Sequence, residues 1–300
     1  MANPLLLLPD FLLILLGWLL CRRTSLDRAL WNAVERLVYF LLFPVLLFNA
    51  IVRSPLHASD VAGVGAAALA TLVVGIACAL ALARWPGVDR RLHASGAQTA
   101  YRFNSYIGLA LAERLGGAQG LAWMAVAIAF CVPVANVAAV WPLARHGGHS
   151  TVRELARNPL IIATLAGLLA NALGVVVPGP LATTLERIGV AALPLGLMAV
   201  GAGLAFGALG AAPRLASALL AIRHLLLPAT AFAIAIAVAL PAQQRAIVVL
   251  FAALPTSAAT YVLAARMGGD GGFVAGIVTV STLLGMAGIP LWLTLANVVW

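Results

Sequence analysis

The chain has 300 residues, 63% of them hydrophobic and 9% charged, where a soluble domain carries roughly 45–50% and 25%. A water-soluble core cannot hide that imbalance, and the charge-free stretches 61–82 and 273–299 are long enough to cross a hydrocarbon layer of about 30 Å. The formal charge of +9 comes entirely from arginine on the basic side. At span ends such residues face lipid headgroups on the cytoplasmic side, so no nucleic acid is expected as a partner.

Met1–Pro4 has no basic n-region and no small-residue cleavage pattern follows the next apolar run, so that run reads as a first span and not as a signal peptide. Charges, prolines and glycines divide the whole chain into ten apolar segments, at about 5–20, 31–52, 61–83, 97–115, 119–143, 159–177, 184–207, 217–240, 244–266 and 272–298. The connections after odd-numbered segments carry Arg22, Arg23 and Arg28; Arg84, Arg90 and Arg91; Arg145, Arg153 and Arg157; and Arg214. The others carry Arg53, Arg187 and Arg245 alone. The positive-inside rule then puts the odd connections in the cytoplasm and both termini outside.

Cys21, Cys78 and Cys131 lie far apart and form no metal-ligand spacing, so they read as apolar packing residues. His146 and His149 lie in the hydrophilic stretch 145–158, where a solvated cytoplasmic linker explains them better than a metal. No cofactor or metal site is expected.

That linker divides ten segments into five and five, a first repeat at 1–144 and a second at 159–300. Leu111 to Gly117 matches Leu263 to Gly269 at an offset of 152, which also pairs Ser105 with Ser257 and Gly120 with Gly272. Glu35-Arg36 before Pro44 matches Glu186-Arg187 before Pro194, and Asn3-Pro4-Leu5 matches Asn158-Pro159-Leu160, at similar offsets. Because five is odd, the second half enters the membrane from the opposite side, the inverted repeat of many secondary transporters.

Such carriers place their site between discontinuous helices near the midplane. The fourth segment contains Arg102-Phe103-Asn104-Ser105-Tyr106, and the ninth contains Leu254-Pro255-Thr256-Ser257. Pro255 has no N–H and its ring opposes the Phe251 carbonyl, so the helix should kink or break there. Thr256 and Ser257 are placed to cap a second half-helix whose N-terminus faces an anion, or simply to bond back to the backbone at a kink. Asn104 suits either solute binding or a helix-to-helix bond, and Asn49 and Asn136 suit either packing or pathway lining. Arg102 either snorkels to the cytoplasmic surface or attracts an anion. Pro44, Pro133 and Pro194 are expected to bend their helices. Arg223-His224 is expected at a surface, near the cytoplasmic end of the eighth segment, and Asp10 in water.

Glu35, Glu113, Glu186 and Asp270 fall near segment boundaries, leaving hardly a carboxylate in between for ion exchange. This favours movement of an anion driven by concentration and membrane potential. A sodium- or proton-coupled symporter for another small solute is the alternative. An intramembrane enzyme is remote, because paired membrane aspartates, an HExxH motif and a deep Ser/His pair are all lacking.

The succession Arg102-Phe103-Asn104, Gly108, Leu115-Gly116-Gly117, Asn158-Pro159, Leu193-Pro194-Leu195, Leu254 to Ser257, Gly268-Gly269-Asp270 and Ser281 to Leu284 resembles the auxin efflux carrier family in its short bacterial form. The resemblance implies an all-α integral membrane fold of ten transmembrane helices in two inverted five-helix repeats. That fold is like bile-acid symporters and sodium/proton antiporters, with a scaffold domain, a transport domain, and broken helices 4 and 9 crossing at the substrate site. Carried over, the site would involve Asn104, Ser105 and Tyr106 on one side and Pro255, Thr256 and Ser257 on the other. The fourth segment lacks the crossover proline of plant members, which sets plant-like auxin recognition aside. Bacterial relatives are commonly labelled permeases for malonate, malate or similar acids, so the implied solute is a small organic acid and the implied location the bacterial inner membrane. The remaining partners allowed for are the bilayer and a second copy of the chain in a homodimer.

Overall fold

The computed structural model describes residues 8–53, 58–144, 159–204 and 212–299, and the linker 145–158 lies outside the described residues. Among these residues the protein is all helix, with a single isolated antiparallel bridge and no strand. In chain order the helices are α1 (Leu8–Arg23), α2 (Arg28–Arg53), α3 (Ala58–Ala81), α4 (Arg90–Gly96), α5 (Ser105–Ala144), α6 (Pro159–Ala172), α7 (Gly179–Ala202), α8 (Pro213–Ala237), α9 (Ala242–Ala253), α10 (Ala259–Arg266) and α11 (Gly271–Val299). Six of them, α2, α3, α5, α7, α8 and α11, are long and apolar enough to cross a membrane. Large apolar side chains on the outside, such as Leu165, Leu169, Val176 and Leu291, are well exposed, as a lipid-facing surface requires.

The helices pack in two groups. α1 lies along α7, and α2 lies against α6 and α7; α3, α5, α8, α9, α10 and α11 form the other group, with α5 touching both. Without a hydrophobic force between helices in lipid, close approach depends on small residues. Gly17 of α1 faces the Met198 backbone of α7, and Gly201 of α7 faces the Ile14 carbonyl of α1, each too close to admit a Cβ. On the other side of α2, Gly167 of α6 sits against Ile51.

Prolines shape the long helices through local adjustments. α2 passes through a π-turn at Val38–Leu42 just before Pro44, and α8 passes through one at Ile222–Leu226 just before Pro228. A proline leaves the carbonyl four residues back without its donor; in α8 that is His224, whose carbonyl accepts from Trp292 Nε1 at 3.0 Å instead. α5 breaks at Gly116-Gly117, where Gly117 has φ +56°, a left-handed value suited to glycine.

Two expectations are corrected here. Arg223 and His224 are buried, at 1% and 8% exposure. α8 begins at Pro213, so Arg223 stands ten residues in, about 15 Å along the axis at 1.5 Å per residue, well inside a helix that runs to Ala237. Asp10 is buried as well, because Arg114 Nε from α5 reaches its Oδ2 at 3.1 Å and covers it.

Between α4 and α5, and again between α9 and α10, the chain unwinds. A short 3-10 turn at Ala97–Ala100 ends α4, and Tyr101 to Asn104 then run irregularly to the start of α5. α9 stops at Ala253, one residue before Leu254-Pro255. The two unwound segments pair with each other: Asn104 N–H donates to Pro255 O at 2.9 Å and Ser257 N–H to Arg102 O at 3.1 Å, with Phe103 opposite Thr256. Phe103 packs edge-on against Phe251 at 4.5 Å, and the fully buried Thr256 hydroxyl donates to Thr99 O at 2.6 Å.

Two substitutions test these contacts. Gly201→Val should overpack the α1–α7 crossing, costing about 1–3 kcal/mol or more, and lower the melting temperature in detergent by several degrees. Gly288→Ala in α11, where a Cβ would meet nothing within 4 Å, should leave it unchanged. Equal melting of the two would show that α1 and α7 are not in close contact. Thr256→Val should cost about 1–3 kcal/mol by stranding the Thr99 carbonyl, while Thr256→Ser keeps the bond; comparable loss in both would contradict the role given to the hydroxyl.

Candidate functional site

The paired breaks form one wall of a cavity of about 1040 Å³. Arg102, Phe103, Asn104, Ser105 and Tyr106 come from the first break and Ser257, Ala258, Ala259 and Tyr261 from the second, with Asn136 from α5. The opposite wall is built by the α1, α2 and α7 group through Cys21, Arg22, Arg28, Asn32, Glu35, Tyr39 and Gly203. The cavity thus lies between the two helix groups.

Both helices that start after a break begin at this cavity. Asn104 Oδ1 accepts from Tyr106 N–H at 3.0 Å and Ile107 N–H at 3.3 Å, and Ser257 Oγ accepts from Ala259 N–H at 3.3 Å. Each is an N-cap at the positive end of a helix dipole. Two such ends aimed at one space favour a negative ligand. Arg102 adds a guanidinium at the same place, its Nη1 donating to Gln98 Oε1 at 3.0 Å and approaching Ala259 O at 3.5 Å. Among the lining residues three arginines, Arg22, Arg28 and Arg102, stand against one carboxylate, Glu35. Glu35 is itself paired with Arg28 at 3.0 Å, so the space between the walls carries net positive charge.

Of the residues singled out from sequence, Arg102, Asn104, Ser105, Tyr106, Asn136 and Ser257 are brought together at this cavity. Tyr106 is held by stacking on Phe43 of α2, 4.8 Å between centroids. Thr256 and Pro255 lie behind the wall: Thr256 turns to Thr99, and the Pro255 ring faces Gly285 of α11. Ser257 caps α10, and Thr256 does not. Asn49 is buried in α2, outside the cavity lining. Cys21, read as a packing residue, lines the cavity, whereas Cys131 is buried in the core.

Sequence reasoning missed the charged face of α2. Arg28, Asn32, Glu35 and Tyr39 recur at the i, i+4, i+7, i+11 spacing that puts them on one side of a helix. That pattern is present in the sequence, where Glu35 is read as a boundary residue and as part of the Glu35-Arg36 repeat match. Also missed was what stands behind the break in α9. Arg223 Nε donates to Leu254 O at 2.6 Å, and its Nη2 donates to Ala252 O at 2.7 Å and Phe251 O at 3.2 Å. Beside it, His224 Nε2 lies 2.8 Å from Ser281 Oγ, which accepts from Thr256 N–H at 2.8 Å. Among the described residues no group of three or more metal-ligating side chains occurs.

Residues 89–293 match the family described as "Membrane transport protein". Over 296 residues the chain is 27% identical to a protein of Rhizobium meliloti (strain 1021) named "Putative malonate transporter", an alignment covering 94% of this chain and 92% of that one. The matched region spans more than two thirds of the sequence, from α4 through most of α11 and including both breaks. The chain therefore belongs to the auxin efflux carrier family of membrane transport proteins, and it is a multi-pass membrane transporter, not an enzyme.

Proposed function

We propose that the protein is a secondary transporter that moves a small organic anion, a mono- or dicarboxylate, across the cytoplasmic membrane by alternating access, with the crossover cavity as its binding site. The observation that carries this reading is the convergence of two capped helix N-termini and Arg102 on a space where arginines outnumber carboxylates. A carboxylate placed there meets N–H dipoles and a guanidinium suited to bidentate bonding. The name of the Rhizobium meliloti relative fits the same chemistry and suggests malonate as the first solute to try.

The reading extends to architecture. Counting α4 with the first part of α5, and α9 with α10, as single interrupted spans gives ten spans, with repeats at 1–144 and 159–300. Support comes from the bridge itself. An offset of 153, one more than the offset that pairs Ser105 with Ser257 in the sequence match, carries Phe103 onto Thr256, Asn104 onto Ser257 and Arg102 onto Pro255. Under that exchange the bond from Asn104 N–H to Pro255 O becomes the bond from Ser257 N–H to Arg102 O, as a two-fold axis through the crossover requires. The two N-caps are then repeat mates. With Arg22 and Arg28 on the cytoplasmic side, both termini lie outside and the cavity faces inward. The α1, α2, α6 and α7 group serves as scaffold while the other carries the site. A dianion crossing in this way exchanges about 4.6 kcal/mol per 100 mV with the membrane potential.

The test is current from purified protein on a solid-supported membrane, challenged with malonate, malate, a monocarboxylate and indole-3-acetate, with and without sodium and a proton gradient. A saturable current for at least one acid is expected. In Arg102→Gln its half-saturation concentration should rise about tenfold or more, the loss of roughly 1.4 kcal/mol of charge-assisted bonding. Silence for every acid in folded protein would remove the organic-anion assignment.

A further inference from the structure

Carbonyls freed by a break inside a membrane must be satisfied by side chains, water, an ion or a ligand. In transporters with broken helices, unwound carbonyls and half-helix C-terminal ends are the usual seat of a coupling cation. Here the C-terminal end of α9 is such a place. Pro255 offers no N–H to Phe251 O, which takes Leu254 N–H at 3.4 Å instead, and Thr256 N–H, the helical partner of Ala252 O, is diverted to Ser281 Oγ. The negative end of the α9 dipole adds to the charge of these carbonyls.

A protein cation already occupies that end. Arg223, 1% exposed, bonds the carbonyls of Phe251, Ala252 and Leu254 at 2.6–3.2 Å, and among the described residues no carboxylate pairs with it. The π-turn at Ile222–Leu226 puts this side chain inside the bundle at the depth of the break. A guanidinium is charged at all relevant pH and is weakly hydrated, so it can stay there permanently. A sodium ion bound to the same carbonyls would have to displace it and would lie beside a second buried positive charge.

We propose that Arg223 is a resident cation of the crossover, a positioning residue that fills the place a coupling cation would take, so that the substrate crosses without a bound metal ion. The transport half of this inference rests on the organic-anion reading, whereas the binding half does not. Arg223 does not line the cavity. It acts through α9 and the Leu254-Pro255 segment, whose far end bonds Asn104 N–H at the site.

The experiment compares melting temperatures of wild type, Arg223→Gln and Arg223→Lys in detergent, in sodium chloride and in N-methylglucamine chloride at equal ionic strength. Wild type should melt at the same temperature in both salts. Arg223→Gln should melt several degrees lower and regain at least half of that loss with millimolar guanidinium, but nothing with tetramethylammonium. Arg223→Lys should fall between and ignore guanidinium, because its own cation fills the place. In proteoliposomes, the current for a responsive acid should be unchanged when sodium is replaced, should fall about tenfold or more in Arg223→Gln, and should return in part with guanidinium. A purely structural role would give no such rescue. Sodium stabilisation of wild type, a sodium requirement for its current, or unrescued loss in Arg223→Gln would overturn the proposal. If Arg223→Gln does not fold, the sodium comparison on wild type and Arg223→Lys decides. If no acid gives current, the anion reading fails while the melting comparison still judges Arg223.

Discussion

Backbone groups cannot go without partners where there is no water, and this single constraint organises the centre of the molecule. Two helices break, and each break supplies what the other lacks. Asn104 and Ser257 donate their N–H groups across the gap to the carbonyls of Pro255 and Arg102. Thr99, on the turn before one break, accepts from the hydroxyl of Thr256 in the other. Remaining groups reach outward to neighbouring helices, to Ser281 on α11 and Arg223 on α8. The crossover is therefore not two local kinks but one hydrogen-bonded unit that spans four stretches of sequence.

The polarity of that unit follows from how its ends are terminated. Helix starts at Ser105 and Ala259 open onto the cavity behind their caps, Asn104 and Ser257. The helix end at Ala253 points the other way and is neutralised by the buried guanidinium of Arg223. Positive ends face the cavity, and the negative end of α9 is sealed within protein. The surrounding packing serves this asymmetry: α2 brings Tyr39, Glu35 and Arg28 to the facing wall, and the glycine contact of α1 with α7 lets that wall stand as a compact group. Large apolar side chains on the outer faces leave the polar groups no other place than the interior.

Much of this was legible in the chain because it depends on local chemistry. Hydropathy marks the long helices α2, α3, α5, α7, α8 and α11, and Pro255 marks the end of α9, just past its last helical residue, Ala253. The break before Ser105 has no proline; its signal is Asn104, a residue whose side chain caps a helix start better than it continues one. What local chemistry could not supply was depth. Arg223 looked like a surface residue because the start of α8 was placed late and because a lone membrane arginine is expected at an interface. Its three carbonyl partners lie 28–31 residues away in sequence. Asp10 was misjudged for the same reason, its partner Arg114 being 104 positions distant. Charges whose partners are remote carry no sequence mark of being paired.

Site-directed alkylation shows whether the paired breaks face water and bind an organic anion, as proposed above. In a background with Cys21→Ser, Cys78→Ala and Cys131→Ala, Ser105→Cys is exposed to a small anionic methanethiosulfonate in membrane vesicles open to both sides, with and without malonate. Labelling should be ready, slow severalfold in malonate or another transported acid, and not slow in choline chloride of equal ionic strength. Labelling that proceeds at one rate whatever acid is present, in protein that still gives current, would place the binding site somewhere other than the crossover.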